Sequence, residues 1–238
     1  MTRQDGRALD ALRPIKITTD FVKFAEGSCL IQCGDTMVLC CASVEERTPP
    51  HVAEGTGWVT AEYSMLPRAN RERSKRDVAK LKLSPRSAEI QRLVGRSLRA
   101  AVDMEALGER TITVDCDVLQ GDGGTRTASV TGGFVALSYA LHKLVVDGAL
   151  KEMPLRTCVA AISAGIVDDE LLLDLCYEED SAAQVDLNCV MTGEGELVEL
   201  QGTGEGRAFT VDEQRRLVDL CAKGIRKVQS IQKAALGG

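Results

Sequence analysis

The stretch TITVDCDVLQGDGGTRTASVTGG (Thr111–Gly133) changes character twice. Thr111–Leu119 alternates strictly, with Ile112, Val114, Cys116 and Val118 on one face, which predicts a half-buried strand. Glycines at 121, 123 and 124 then halt the pattern, and Thr125-Arg126 opens a run with Val130, Phe134, Leu137 and Leu141 at helical spacing. Bare glycine amides at a helix N-terminus usually hold an anion. A tight strand-to-helix turn with a solvated Arg126 gives the same pattern, and the loop alone leaves both readings open. The Gly132-Gly133 pair weakens the helix by about 1 kcal/mol per glycine relative to alanine. That cost predicts another backbone packed close against it.

The loop fails both familiar nucleotide patterns. No lysine follows it as a Walker A loop requires, and Arg126 stands where a dinucleotide fingerprint needs its third glycine. Adjacent backbone amides, the Thr125 hydroxyl and the forked Arg126 guanidinium suit a single phosphate group better. A second arginine is similarly sited. Ser84-Pro85 reads as an N-cap followed by proline at the first helical position, placing Arg86 in that helix's first turn. Alone Arg86 reads as a surface residue; with Arg126 it makes a two-sided phosphate clamp.

Residues 15–44 read as paired strands, with turn signals at Glu26-Gly27 and Cys33-Gly34-Asp35. A Pro- and Gly-rich loop, Glu45–Gly57, leads into a basic stretch. Ile90, Leu93, Val94, Leu98 and Ala101 then recur at helical spacing, in an element expected to end at Gly108. Cys158–Val167 and Leu171–Tyr177 read as a hairpin across Asp168-Asp169. Val185–Met191 alternates and turns at Gly193-Glu194-Gly195 into Leu197–Gln201. The last helix starts with a capping box, Thr210-x-x-Glu213, and carries a stripe from Leu217 to Ile231. One α+β domain covering residues 1–238 is the simplest assignment.

Composition bounds the partners. The net charge is −6, which taken alone argues against a polyanion, yet residues 68–99 hold eleven Arg and Lys against three acids. A basic stretch in an otherwise acidic chain steers an anion to one place. Within it, ANRERSKRDVAK has no aromatic residue, so it is expected to read phosphates rather than bases. A solvated charged loop is the plainer alternative. Met1–Pro14 is charged and no apolar run approaching 18 residues stands out, so a cytoplasmic protein with no membrane partner is expected. Most of the nine cysteines, as in Cys40-Cys41, Cys116, Cys176 and Cys189, sit in apolar or alternating runs and read as small core residues, without the spacing of a zinc site.

CYEEDSAAQVDLNCV supplies Asp180 and Asp186. Asp186 shares the polar face of its strand with Gln184 and Asn188, and Asp180 is placed in the turn before it. Beside a phosphate site the two could hold Mg²⁺, although Asp-x-x-x-x-x-Asp is common by chance and fits ordinary surface acids equally.

Taken together, these residues resemble the ribonuclease PH family, phosphorolytic exoribonucleases of tRNA 3′ ends. Arg3-x-Asp5-Gly6-Arg7 with Arg13-Pro14, GWVTAEYSMLPRA, SPRSAEIQRLVGRSLRA, DCDVLQGDGGTRTAS, DLCYEEDSAAQVDLN and VELQGTGE carry the resemblance over nearly the whole chain. It implies that Arg86 and Gly124-Thr125-Arg126 bind the attacking inorganic phosphate, that Asp180 and Asp186 hold Mg²⁺ (or Mn²⁺), and that these acids with Arg86 and Arg126 form the catalytic set. Arg68, Arg73 and Arg76, with Arg71 beside them, match the tRNA-contacting cluster. The resemblance also implies a ribonuclease PH-like fold of two βαβα-like halves, related to the second domain of ribosomal protein S5, in a homo-hexameric trimer of dimers. The substrates would be tRNA precursors and other RNA 3′ ends. A non-catalytic RNA-binding subunit of an exosome-like ring is the closest rival, and retention of both arginines and both aspartates argues against it.

Overall fold

The computed structural model describes residues 3, 5–76 and 82–237. Asp77 and Lys80 of the basic stretch lie outside them. The elements run β1 (Ile15–Thr19), β2 (Gly27–Cys33), β3 (Thr36–Glu45), β4 (Trp58–Met65), α1 (Pro85–Ala101), α2 (Met104–Leu107), β5 (Thr111–Gln120) and α3 (Thr125–Val146). They continue with β6 (Val159–Val167), β7 (Glu170–Leu173), α4 (Tyr177–Ala182), β8 (Val185–Thr192), β9 (Leu197–Gly204) and α5 (Val211–Ala235).

Two sheets result, ordered β1-β2-β3-β5-β4 and β7-β6-β8-β9. Among the described residues only β4 and β5 pair in parallel, and α1 lies on the connection between them. The first half thus ends β4-α1-β5-α3. In the second, β7 and β8 flank β6 and α4 links them, while β9 leads on to α5.

α1 and α3 pack between the sheets, and α5 covers the far face of the second sheet. This explains β6, VAAISAGIV, which is buried at every position. Val159 and Ala161 join the core around α3, whereas Ala160, Ile162 and Ala164 pack towards α5. α3 has 16 of its 22 residues buried, which is why it is apolar on all sides. It is long and apolar enough to cross a membrane, contrary to the expectation that no such run exists, but most of it lies inside the protein.

Several boundaries differ from the sequence reading, each for a local reason. β4 was hidden in the approach to the basic stretch; its Val59, Ala61 and Tyr63 face the core while Glu62 and Ser64 face out. The helix expected to reach Gly108 stops at Ala101, because Asp103 accepts hydrogen bonds from Glu105 N and Ala106 N and starts α2. The strand expected to reach Tyr177 stops at Leu173, and Asp174 takes φ 55°. α4 begins at Tyr177, so Asp180 sits on a helix rather than in a turn. Gly132 meets side chains instead of a backbone: an added Cβ would fall 2.7 Å from Ile31 Cγ2 and 2.9 Å from Cys40 Sγ. The close backbone approach is on the other partner, where a Cβ on Gly27 would collide with Ala136 O. Cys41 and Cys176 are only half-buried, the latter at the N-cap of α4.

Candidate active site

The glycine loop is fixed before any ligand enters. Gly123 and Gly124 take φ 72° and 66°, and a Cβ on Gly123 would fall 2.5 Å from Leu175 O, so the loop lies flush on the chain entering α4. Thr36 Oγ1 donates to Gly123 O at 2.6 Å and accepts from Asp122 N at 2.9 Å. Buried Arg13 donates to Asp122 O on one side and to Asp174 Oδ1, at 2.7 Å, on the other. The loop and α4 are thereby held as one piece.

Around them a polar cavity of about 340 Å³ is lined by Arg86 from α1, Gly124, Thr125 and Arg126 from the loop and α3, Asp180 from α4, and Asp186 and Asn188 from β8. Residues up to 100 positions apart in the chain, expected separately to bind phosphate and metal, share one enclosure. Ser84 caps α1 by accepting from Ser87 N, so Arg86 stands at a well-formed helix start. Both arginines are therefore at the positive ends of helices.

The electrostatics divide the cavity. Burial pushes the Asp180 carboxyl up, while Arg86 and Arg126 pull the other way. Burial first, and then the neighbouring Asp180, push Asp186 up to about 6. Asn188, itself buried rather than on an open polar face, donates its Nδ2 to Asp186 Oδ2 at 3.1 Å. Two carboxylates that destabilise one another's charge gain from a divalent cation between them, and hard oxygen donors suit Mg²⁺ or Mn²⁺. Among the described residues no group of three or more His, Cys, Asp or Glu could form a protein-only metal cage. Asp180 and Asp186 could hold a cation that takes its remaining donors from water and substrate.

Besides Ser163 and Glu205, which also line the cavity, three further neighbours were not legible as site residues. Tyr63, on the overlooked β4, is buried with its hydroxyl 2.8 Å from Thr125 Oγ1. Gln201 and Glu89 both hold Arg126. Glu89 lies one helical turn beyond Arg86, and Gln201 within VELQGTGE, so their positions were in view but their partner was not.

Arg68, Arg71, Arg73 and Arg76 lie outside the cavity, all exposed on the irregular segment after β4. Arg71 Nη2 is 2.9 Å from Glu178 Oε1, and its guanidinium lies 5.9 Å from the Tyr177 ring centre. The fold thus sets a half-exposed aromatic from α4 beside a segment that has none of its own.

Family models described as the 3′ exoribonuclease family, domains 1 and 2, match residues 11–141 and 157–224. The chain belongs to the 3′ exoribonuclease, or ribonuclease PH, family. Ribonuclease PH of Moorella thermoacetica is 56% identical over 238 residues, spanning 100% of this chain and 95% of that relative. Among solved structures, an Archaeoglobus fulgidus exosome with RNA bound to the active site is similar, with a TM-score of 0.78 and 25% identity. That alignment covers 96% of this chain and 91% of the other. Rice (Oryza sativa) Rrp46 has a TM-score of 0.80 at 18% identity, covering 98% of this chain and 100% of that one, a likeness of fold alone. The ribonuclease PH-like fold expected from the sequence is therefore the fold observed, and the site just described lies where domains 1 and 2 of the family meet.

Proposed function

We propose that this cavity holds inorganic phosphate and aligns it on the last phosphodiester of an RNA 3′ end. The chain is a phosphorolytic 3′→5′ exoribonuclease acting in tRNA processing, and each cycle releases one nucleoside diphosphate. The observation that carries the assignment of residues is the cavity itself, which two helix-terminal guanidiniums line together with Asp180, Asp186 and a third acid, Glu205.

Arg86 and Arg126 bind phosphate oxygens from two directions by bidentate hydrogen bonds, fixing the nucleophile's orientation. The Thr125 hydroxyl, held by Tyr63, and the first amides of α3 complete the cradle. Asp180 and Asp186 are the residues that would hold Mg²⁺ or Mn²⁺. When bound there, the cation supplies neutralisation of charge on the scissile phosphoryl group and its leaving 3′ oxygen. No side-chain nucleophile is required, because phosphate itself attacks. By microscopic reversibility the same cradle adds nucleotides from nucleoside diphosphates.

Further parts of this reading go beyond the cavity, and the tRNA grip and the ring rest on the family resemblance. The exposed arginines Arg68, Arg71, Arg73 and Arg76 grip the tRNA body. The chain works as a single folding unit, supported by the shared packing of α3 on both sheets. It assembles as a homo-hexameric ring and resides in the cytoplasm, where nine free cysteines are at home. The phosphate assignment is tested by thermal denaturation. Phosphate is expected to raise the midpoint of the unmodified protein, and to do so at much higher concentration for Arg86→Ala or Arg126→Ala. Equal protection of all three proteins would contradict it.

A further inference from the structure

Arg126 is held on one edge only. Its Nη1 donates to Gln201 Oε1 from β9 and lies 3.5 Å from Glu89 Oε1 of α1, and Gln201 Nε2 donates to that same Glu89 oxygen at 2.7 Å. Among the described residues, hydrogen bonds reach Arg126 only at Nη1. Three of its five N–H donors, on Nε and Nη2, remain for the cavity it lines.

The chemistry of the chain Glu89–Gln201–Arg126 admits one arrangement. A carboxylate only accepts and a guanidinium only donates, so a side chain joining them must donate at one end and accept at the other. A primary amide does this, and Glu89 fixes which way round it sits: Nε2 towards Glu89, Oε1 towards Arg126. The three residues come from three elements, α1, β9 and α3, whose relative positions the core sets. Arg126 has a long, rotamer-rich side chain whose freedom a ligand would otherwise have to freeze on binding.

We infer that Gln201, oriented by Glu89, is a positioning residue that holds the Arg126 guanidinium with its free edge towards incoming phosphate. This rests on the proposed phosphate site and deepens it. The alternative arrangement, Glu89 as a counter-ion that phosphate must displace, is disfavoured because the bonds occupy the edge away from the free donors.

Steady-state kinetics with phosphate and a short oligoribonucleotide as varied substrates test the inference. Gln201→Leu, similar in size and without the amide, is expected to raise KM for phosphate about five- to tenfold, with kcat at saturating phosphate and KM for RNA changed less than about twofold. Glu89→Leu is expected to do the same. Glu89→Gln, which still accepts from Gln201, should raise KM for phosphate less than Glu89→Leu. An unchanged KM for phosphate in Gln201→Leu would overturn the inference, as would a lower KM in Glu89→Gln, the mark of a displaced counter-ion. Arg126→Lys assayed in parallel separates the two levels. If that variant leaves KM for phosphate unchanged, the phosphate site itself is misassigned; if it raises KM while Gln201→Leu does not, only the positioning role fails. Far-ultraviolet circular dichroism and thermal midpoints of the variants, expected to match the unmodified protein because Glu89 and Gln201 lie towards the surface, exclude misfolding as the cause.

Discussion

Arg3 bridges 176 residues of chain to Glu179, its Nε 2.7 Å from Oε1 and its Nη2 2.6 Å from Oε2. Both side chains are almost fully buried, at 0% and 7% exposed. Arg3 Nη1 also donates to Leu173 O at 2.8 Å, and Glu179 accepts from Cys176 N at the head of α4. Glu179 is the residue before Asp180, so the bidentate pair pins the helix that presents that carboxylate. The N-terminal segment is in this way part of the site's scaffold.

Removing Arg3 takes the bidentate partner from buried Glu179 and leaves it only the more distant Arg7 Nη2, 3.6 Å away. Arg3→Met is expected to destabilise the fold by up to about 3 kcal/mol, and Arg3→Met with Glu179→Gln by less, since the under-compensated carboxylate is then gone. Chemical denaturation of both variants checks this. A double variant weaker than Arg3→Met alone would show that the pair does more than neutralise itself.

Asp180→Asn and Asp186→Asn keep shape and lose charge. Each should lower turnover at least ~10²-fold through loss of metal stabilisation, while RNA affinity stays near normal because the exposed arginines are untouched. Single-turnover rates beside filter binding distinguish these effects. Near-normal turnover at saturating metal would remove that residue from the mechanism.

The Asp186 carboxyl, raised to about 6 first by burial and then by Asp180, gives a pH signature. Below that value the metal-free site holds a proton that a cation must displace, so apparent Mg²⁺ affinity should tighten steeply between pH 5 and 6 and level off above 7. The sign for stability is opposite. With its folded pKa above the unfolded value of about 3.9, this group makes the metal-free fold lose stability as pH rises from about 4 to 6. Calorimetric Mg²⁺ titration at pH 5 and 7 tests the first, and equal affinities would refute it.

Most of the fold could be read from local patterns because its strands and helices obey their own periodicities. The alternation of Ile112, Val114 and Cys116, the Ser84-Pro85 start and the Thr210–Glu213 capping box all appear in the structure as expected. β4 and α4 were missed where function competes with pattern: β4 runs into the basic stretch, and α4 is a six-residue helix crowded with acids. At the site, Arg86, Arg126, Asp180 and Asp186, expected separately to bind phosphate and metal, line one cavity. Tyr63, Gln201, Glu89 and the Arg3–Glu179 pair were illegible for a common reason. Each acts through a partner dozens of positions away, and no spacing in the chain records that.

The exposed arginines should be separable from the chemistry. Replacing Arg68, Arg73 and Arg76 with alanine removes about three phosphate contacts, which predicts that the slope of log K against log salt concentration for tRNA binding becomes shallower by roughly 2 to 3. A short oligonucleotide that never reaches the cluster should be degraded at nearly the normal kcat/KM. Equal losses on both substrates would instead place the cluster within the catalytic cavity, and no loss on either would make it a solvated loop.

The account turns on phosphate as the nucleophile. The most direct measurement incubates the protein with 3′-extended tRNA and Mg²⁺, with radiolabelled orthophosphate or with none, and identifies the released nucleotides. It predicts nucleoside diphosphates bearing the label at the β-phosphate, and negligible release without phosphate. Nucleoside monophosphates released at full rate from phosphate-free buffer would contradict it.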